Sequence, residues 1–171
     1  APAVAVSVPM HLLYEVTEEN GNLKINRLAA HWELLPMVGQ LLGKGLPAVQ
    51  VSLSLAVRML RGLGVAGTLG FSRAALTPRG RHYRLLDQLL TAINCQDHSA
   101  VKGCFANEEL AVTDSSGQKL PLASLKGISA DKRIAAGQWI TASVTLAGAP
   151  AVLVGEICPH RHKLLHCQLY R

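Results

Sequence analysis

Three residues near the C-terminus have a spacing that suggests metal chemistry. Cys158, His160 and His162 alternate along the chain, so an extended backbone would place all three side chains on one face. Thiolate and imidazole are ligands that zinc prefers. The run does not divide into two ligand pairs, however, and Pro159 favours a turn. We therefore predict a turn with solvated histidines, and no metal site.

Asp114 is a second candidate for chemistry. It ends the apolar run Glu109–Asp114 and precedes Ser115-Ser116-Gly117, a cluster that is typical of turns. A carboxylate at the end of an apolar strand favours a raised pKa, which suits proton abstraction near neutral pH. The same carboxylate can instead accept hydrogen bonds from the turn that follows it. We favour this second, structural interpretation.

Other catalytic signatures are absent from the sequence. It contains no Ser-His-Asp order, no phosphate-cradling loop and no paired-carboxylate motif. Gly62, Gly64, Gly67 and Gly70 follow a predicted helix and not a strand, so they do not form a dinucleotide fingerprint. The sequence therefore predicts no cofactor.

The stretch from Tyr83 to Asp114 contains the elements that would position this carboxylate. Its first part has one apolar face at helical spacing, made of Leu85, Leu86, Leu89, Leu90 and Ile93. Asp97 follows a break in this pattern and can cap a second, short helix. An extended run then leads to Asp114, so the stretch predicts helix, short helix and strand.

This order of elements resembles the opening of the nuclear transport factor 2-like (NTF2-like) superfamily, which includes SnoaL-like proteins and ketosteroid isomerases. The resemblance covers about residues 80–171 and implies an α+β cone, in which a curved mixed or antiparallel sheet packs on helices. Leu120 to Leu125 would be the third helix. The closing strands would be the runs RIAAGQWITASVTLAG, APAVLVGEIC and KLLHCQLYR.

The resemblance also implies a pocket between the sheet and the helices, with Asp114 as its general base. Ketosteroid isomerases add a tyrosine that donates a hydrogen bond to the oxyanion, and Leu90 occupies the matching position here. Loss of one such donor costs roughly 3 kcal/mol of transition-state stabilisation, which argues against steroid isomerase activity. The residues expected to line the pocket are Leu90, Trp139, Glu156, His166 and Tyr170.

The N-terminal part of the chain predicts a long hairpin. Apolar residues alternate from Ala3 to Val16, Asn20-Gly21 favours a tight turn, and Leu23 to Glu33 forms the return strand. A two-stranded hairpin is marginally stable by itself in water, so we expect it to pack on something, such as a second copy of the chain. Two interpretations remain open. The hairpin is either the end of a further NTF2-like unit or an extension of the C-terminal sheet.

Two helices should follow the hairpin, at residues 34–42 and 46–63. The second has an apolar stripe formed by Val49, Leu53, Ala56, Val57 and Leu60, which we expect to pack on protein. The glycines of Gly62 to Gly80 favour a linker. The predicted domains are therefore residues 1–62, with the hairpin and two helices, and residues 81–171, with the NTF2-like unit, joined by a linker at 63–80.

Composition excludes several function classes. Of 171 residues only 4% are aromatic, which argues against a stacking platform for single strands, and we expect no specific nucleic-acid partner despite a net charge of +6. Four cysteines without CxxC spacing favour buried, reduced thiols in an intracellular compartment, and we expect the cytoplasm. No apolar run reaches about 18 residues. We therefore expect no membrane contact, and an interfacial helix within Leu46 to Phe71 is the minor alternative.

The sequence thus predicts a non-catalytic NTF2-like protein that acts as a homodimer or binds a protein partner. The alternative is a cone that binds a small apolar ligand, with isomerase- or lyase-like chemistry on Asp114. Because one interpretation of the hairpin starts the chain inside a structural unit, we leave open whether the chain is a fragment of a longer protein.

Overall fold

The chain divides into an N-terminal unit, Ala1–Thr77, and a C-terminal unit, Pro78–Arg171. The computed structural model describes residues 5–43, 46–75, 79–107, 109 and 111–171. The N-terminal elements are β1 (Met10–Glu19), β2 (Asn22–Trp32), α1 (Leu34–Leu42) and α2 (Leu46–Ala75). The C-terminal elements are α3 (Arg79–Asn94), α4 (His98–Gly103), β3 (Thr113–Asp114), a 3-10 helix (Leu122–Leu125), β4 (Ser129–Ala136), β5 (Trp139–Leu146), β6 (Ala149–Ile157) and β7 (Leu164–Tyr170).

Strands β1 and β2 form an antiparallel hairpin around the predicted turn. Asn20 and Gly21 have φ angles of 55° and 74°, the pair of positive values that a tight two-residue hairpin turn requires. The first strand begins at Met10 and not at Ala3, where we expected it. Pro9, directly before Met10, has no N–H to donate to a ladder. Residues 1–4 of the predicted strand lie outside the described residues.

A bulge gives this hairpin one continuous apolar face. Glu15 pairs with Arg27 and Val16 pairs with Ile25, so Asn26 is an extra residue in β2. Because of the extra residue, the alternation of side chains between the two faces of β2 is displaced by one position. Ile25 therefore lies opposite Val16 on the same face as the next apolar pair of the ladder, Tyr14 and Leu28. The hairpin is a two-stranded sheet of its own and does not extend the five-stranded sheet.

Helix α2 is longer than predicted. The linker expected at residues 63–80 is instead helical as far as Ala75, with a break only at Gly64, where φ is 68° and ψ is 179°. Glycines inside a helix cost about 1 kcal/mol each, whereas proline costs about 3 kcal/mol. The glycines between residues 62 and 70 therefore weaken the helix. No proline occurs between Pro47 and Pro78 to end it.

The C-terminal unit begins with the two helices that the sequence predicts. Helix α3 buries its leucine face. Asp97 caps α4, because its Oδ1 accepts hydrogen bonds of 2.9 Å from the N–H groups of both Ser99 and Ala100. The predicted helix at Leu120 to Leu125 is a short 3-10 helix, which starts after Pro121.

A five-stranded mixed sheet completes this unit. The strand order is β3-β7-β6-β5-β4, with β3 parallel to β7 and the other pairs antiparallel. The predicted extended run before Asp114 contributes only two residues to the sheet, and residues 108 and 110 of that run lie outside the described part. The inner face of the sheet packs on α3 in one hydrophobic core, whose fully buried members include Leu86, Leu89, Ile93, Phe105, Leu153 and Leu164.

Candidate functional site

Asp114 lies at the end of β3 and organises the turn that follows. Its Oδ1 accepts hydrogen bonds from the Ser116 hydroxyl at 2.6 Å and from the Ser116 N–H at 2.9 Å. The N–H of Gln118 donates to the same oxygen at 2.9 Å. The carboxylate therefore holds the turn closed, as the structural interpretation of this residue predicts.

These hydrogen bonds determine the acidity of Asp114. The Ser116 hydroxyl, followed by the backbone N–H of Gln118, holds the pKa of the carboxyl below its ordinary value of 3.8, because both stabilise the charged form. A general base that works near neutral pH needs the opposite shift. The raised pKa that the strand-end position suggested is therefore not present.

Three of the predicted pocket residues form a row across the sheet. Trp139 on β5 pairs with Glu156 on β6, and Glu156 pairs with His166 on β7. Their neighbours in the next row, Ile140 and Cys167, belong to the hydrophobic core. Because successive side chains of a strand point to opposite faces, the row lies on the face of the sheet that points away from the core.

The remaining two predicted pocket residues lie on different sides of the sheet. Tyr170 shares the outer face with His166, four residues earlier on β7, and its hydroxyl donates to Oε1 of Gln168 at 2.5 Å. Leu90 of α3 is buried in the core. The structure therefore does not bring together the five residues predicted to line one pocket. The alternation of side chains along the strands places four of them on the outer face of the sheet.

Two open grooves lie on the helical side of the C-terminal unit. One, of about 600 Å³, runs along α3 and α4 and is lined by Asp87, Thr91 and Cys95 among others. The other, of about 640 Å³, lies beside α4 and the 3-10 helix, and its apolar lining includes Val112 and Leu122. Asp114 lines neither groove.

The Cys158 to Lys163 segment is a turn, as the sequence predicts. The Cys158 N–H donates to the Lys163 carbonyl at 2.8 Å, and the His162 N–H donates to the Cys158 carbonyl at 2.9 Å. Nε2 of His162 lies 3.0 Å from a guanidinium nitrogen of Arg81. In the described part of the chain, no three histidine, cysteine or carboxylate side chains are placed to hold a metal ion together.

The four cysteines are all unpaired. Cys104 and Cys167 are buried, and burial raises the pKa of Cys167 to about 12, so this thiol is unreactive. Cys95 is exposed and Cys158 is half-buried, contrary to our expectation of four buried thiols. Cys95 follows the last turn of α3, and Cys158 follows the end of β6.

The apolar face that the sequence predicts for the hairpin is exposed in the structure. We call this surface the hairpin face, and it is formed by Met10, Leu12, Tyr14, Val16, Leu23, Ile25 and Leu28. Tyr14 is 48% exposed and Ile25 is 61% exposed. The opposite face holds an ion pair between Glu15 and Arg27, with the two charged groups 2.7 Å apart.

The opposite face is partly covered within the described part of the chain. His31 lies on it, directly across from His11, and is buried. Burial, with smaller contributions from His11 and Arg27, lowers the pKa of His31. The expectation that the hairpin packs on something, such as a second copy of the chain, stays a prediction.

Helix α2 carries a second exposed apolar surface. Leu53, Val57 and Leu60 follow one another at helical spacing, and we call them the α2 stripe. Leu53 is 66% exposed and Leu60 is 46% exposed. These three side chains are exposed in the structure, and our expectation that the helix packs on protein stays a prediction. The side chain of Val49, also predicted for this stripe, lies outside the described residues.

Comparisons with known proteins give matches at the level of structure. No protein-family model matches the chain, and the search of curated proteins finds no match. A SnoaL-like protein of unknown function from Burkholderia thailandensis is similar in structure, with 12% identity and a TM-score of 0.45 over 54% of this chain and 94% of that protein. An NTF2-like protein of unknown function from Cytophaga hutchinsonii is similar with 14% identity and a TM-score of 0.37, over 50% of this chain and 85% of that protein.

In the C-terminal unit, two helices are followed by a curved mixed sheet that packs on them. The sequence resemblance implied this architecture. The predicted α+β architecture is thereby confirmed. The likeness concerns the fold alone, since NTF2-like folds, like other widespread folds, do not determine an activity.

Within the described ranges, no helix combines the length and the apolar character needed to cross a membrane.

Proposed function

We propose that this NTF2-like protein is a non-catalytic interaction module that forms homodimers through the exposed apolar surfaces of its N-terminal unit. The observation that carries the proposal is the hairpin face. Its large apolar side chains are about half exposed or more, whereas the polar face behind it is partly covered. Monomeric proteins rarely expose a contiguous apolar patch of more than a few hundred Å².

Energetics support the same conclusion. An isolated two-stranded hairpin is marginally stable in water and needs a further layer. Full burial of a leucine-sized side chain contributes about 1.5–3 kcal/mol, so covering a half-exposed one contributes roughly 1 kcal/mol. Covering the hairpin face therefore offsets a substantial part of the translational and rotational entropy lost on association.

A second copy of the chain is the partner that this surface suits best. The centre of the hairpin face carries no charged residue. The ion pair between Glu15 and Arg27 lies on the opposite face of the hairpin. In a two-fold symmetric interface, the centre of a surface lies close to the same region of the partner copy. An uncharged centre therefore brings no like charges together.

Sedimentation of two matched variants tests the proposal. Val16 and Thr17 are neighbours whose side chains lie on opposite faces of the hairpin. We expect a concentration-dependent dimer for the unmodified chain and for Thr17→Glu. Val16→Glu should be monomeric, because it places a charge on the hairpin face. A monomeric unmodified chain, or equal dimerisation of the two variants, would contradict the proposal.

Binding of a small apolar ligand is the second candidate function. It is favoured by the groove of about 640 Å³ beside α4, since ligand pockets usually have 300–1,000 Å³ and an apolar lining. Leu122→Lys should abolish binding of a fluorescent apolar dye to this groove. Ser124→Lys, on the same 3-10 helix but outside the groove, should leave the binding unchanged. Equal dye binding by both variants would remove this candidate.

A further inference from the structure

Two basic segments that lie far apart in the sequence meet on the surface of the C-terminal unit. One is the start of α3, and the other is the turn between β6 and β7. They are joined by Arg81 and His162, where a guanidinium nitrogen lies 3.0 Å from Nε2 of the imidazole. We call the exposed basic side chains of the two segments the basic cluster, which consists of Arg81, Arg84, His160, Arg161, His162 and Lys163.

The positive charge of the basic cluster is not neutralised within the described part of the chain. Neither residues 79–84 nor residues 158–163 contain an aspartate or a glutamate. Of the ion pairs in the described ranges, none includes a member of the cluster. Like charges that are held close together repel each other. A bound anion would therefore stabilise this surface.

The contact between Arg81 and His162 fixes one side chain of the cluster in place. A guanidinium group has N–H donors only, so Nε2 of His162 is the acceptor. The turn that carries His162 is itself held by two backbone hydrogen bonds, of 2.8 Å and 2.9 Å. The planar guanidinium keeps further N–H donors for a ligand. Arginine side chains bind phosphate oxygens through two parallel hydrogen bonds, so a phosphate group suits this surface.

A groove of about 600 Å³ leads away from the basic cluster between α3 and α4. Arg84 belongs to the cluster and also lines this groove. Cys104, at the end of α4, lines it as well. The carbonyl of Cys104 accepts a hydrogen bond of 2.8 Å from the N–H of Leu164, the residue that directly follows the basic turn. The cluster therefore lies at one end of the groove.

The length of the groove suits a short extended peptide. From Arg84 to Cys95, α3 rises by about 16 Å at 1.5 Å per residue. An extended chain covers this distance with about five residues. Asp87 also lines the groove, but its two carboxylate oxygens lie 2.7 Å and 2.9 Å from a guanidinium nitrogen of Arg133, which offsets its charge.

We propose that the basic cluster binds a phosphorylated residue of a partner peptide, whose neighbouring residues lie in the groove between α3 and α4. Arginine clusters are a recurrent means of recognising phosphorylated motifs. The inference goes beyond the proposed self-association, because the cluster and the groove belong to the C-terminal unit and share no residue with the hairpin face.

The groove favours a peptide over other anionic partners. Solvent and salt screen an exposed charge, so a free anion would bind weakly and the groove would supply the missing contacts. A lipid surface would reach only protruding side chains and would leave the groove empty. A nucleic-acid strand would find no aromatic ring to stack on within the cluster, which contains no phenylalanine, tyrosine or tryptophan.

Peptide arrays test the proposal on the full chain. The probes are short random peptides with a central phosphoserine, and the same peptides with serine. We expect the unmodified chain to bind a subset of the phosphorylated peptides and none of their serine counterparts. Arg81→Gln combined with Arg161→Gln should weaken this binding about tenfold or more, because hydrogen bonds between charged groups are lost. Lys132→Gln, an exposed position on the edge strand β4, is the matched control and should bind normally.

Ala100→Trp separates the contribution of the groove from that of the cluster. Ala100 is exposed on α4 and lines the groove. A tryptophan there should block the bound peptides but leave weak binding of inorganic phosphate, measured by calorimetry, unchanged. His98→Trp, exposed on the same helix but outside this groove, should leave peptide binding unchanged. Circular dichroism should show that every variant is folded.

Each contrary result overturns the proposal. Equal binding of phosphorylated and serine peptides, binding of neither, or equal binding by the double arginine variant would mean that the cluster does not recognise a phosphorylated residue. Inorganic phosphate that binds as tightly as the peptides would indicate a site for the free anion. Binding to vesicles of phosphatidylserine and phosphatidylcholine, without binding to the peptides, would assign the cluster to a membrane surface.

Discussion

Asp114 shows at the scale of a single residue how the surroundings of a side chain determine its chemistry. The carboxylate ends a strand, as a general base of this fold would, but three hydrogen bonds from the following turn converge on one of its oxygens. Groups that donate to a carboxylate stabilise its charged form and lower its basicity. The residue therefore supports the turn, and its contribution to folding should depend on pH.

We expect Asp114→Asn to lower the thermal stability at neutral pH and to have little effect in strong acid. The folded-state pKa of Asp114 lies below its ordinary value of 3.8, so the stabilisation is complete above that value. It is lost as the pH falls through the folded-state pKa, where the wild-type carboxylate is also neutral. Thermal melts of both proteins across the acid range measure this difference.

Ser116→Ala provides the matched control for this prediction. It removes the hydroxyl that contributes most to the lowered pKa, but keeps the charge of Asp114. Its stability loss should also shrink in acid, and it should be smaller than that of Asp114→Asn. A difference between Asp114→Asn and wild type that stays constant across the acid range would contradict this account.

At the scale of elements, the alternation of side chains along β5, β6 and β7 decides which residues face the hydrophobic core. Ile140, Gly155 and Cys167 form one row on the inner face, and the row of Trp139 beside it lies on the outer face. The inner row is crowded at Gly155. A Cβ atom there would lie 2.9 Å from Cδ2 of Leu164 and 3.1 Å from Cγ2 of Ile140.

We expect Gly155→Ala to destabilise the protein by about 1–3 kcal/mol, the usual cost of overpacking a core. Gly103→Ala is the matched control, because a Cβ atom at Gly103 meets nothing within 4 Å. As a helix position it should gain up to about 1 kcal/mol. Urea unfolding of the three proteins measures both effects. Equal stability of Gly155→Ala and wild type would mean that the core beside Gly155 can accommodate a methyl group without strain.

At the scale of the whole molecule, the apolar residues are distributed unequally. The hydrophobic core formed by the described residues belongs to the C-terminal unit, from Leu85 to Leu169. The N-terminal unit instead exposes the hairpin face and the α2 stripe. One unit therefore has the core that independent folding requires, whereas the other presents the apolar surfaces that we propose for association.

Residues 78–171 alone should consequently fold cooperatively and remain monomeric. The core of this unit is complete without the hairpin face or the α2 stripe, so we expect a single unfolding transition by circular dichroism. Sedimentation of this fragment beside the full chain compares their oligomeric states. A fragment that is unfolded, or that dimerises as the full chain does, would contradict this division of roles.

Local patterns in the sequence determined the helices α3 and α4 and the turn of the hairpin. The leucine spacing placed α3, Asp97 marked the start of α4, and Asn20-Gly21 marked the turn. These features depend on neighbours within about four residues, and such short-range preferences can be read from the chain directly. The α+β class of the C-terminal unit followed from the order of its elements.

Long-range contacts decided the rest. Which face of a strand meets the core depends on the register with its neighbours, and a shift of one residue reverses every side chain. For this reason the sequence did not show that Trp139, Glu156 and His166 lie outside the core. Nor did it show that Asn26 forms the bulge that completes the hairpin face. Whether an apolar face is covered depends on distant residues, so only the tertiary structure revealed that the hairpin face is exposed.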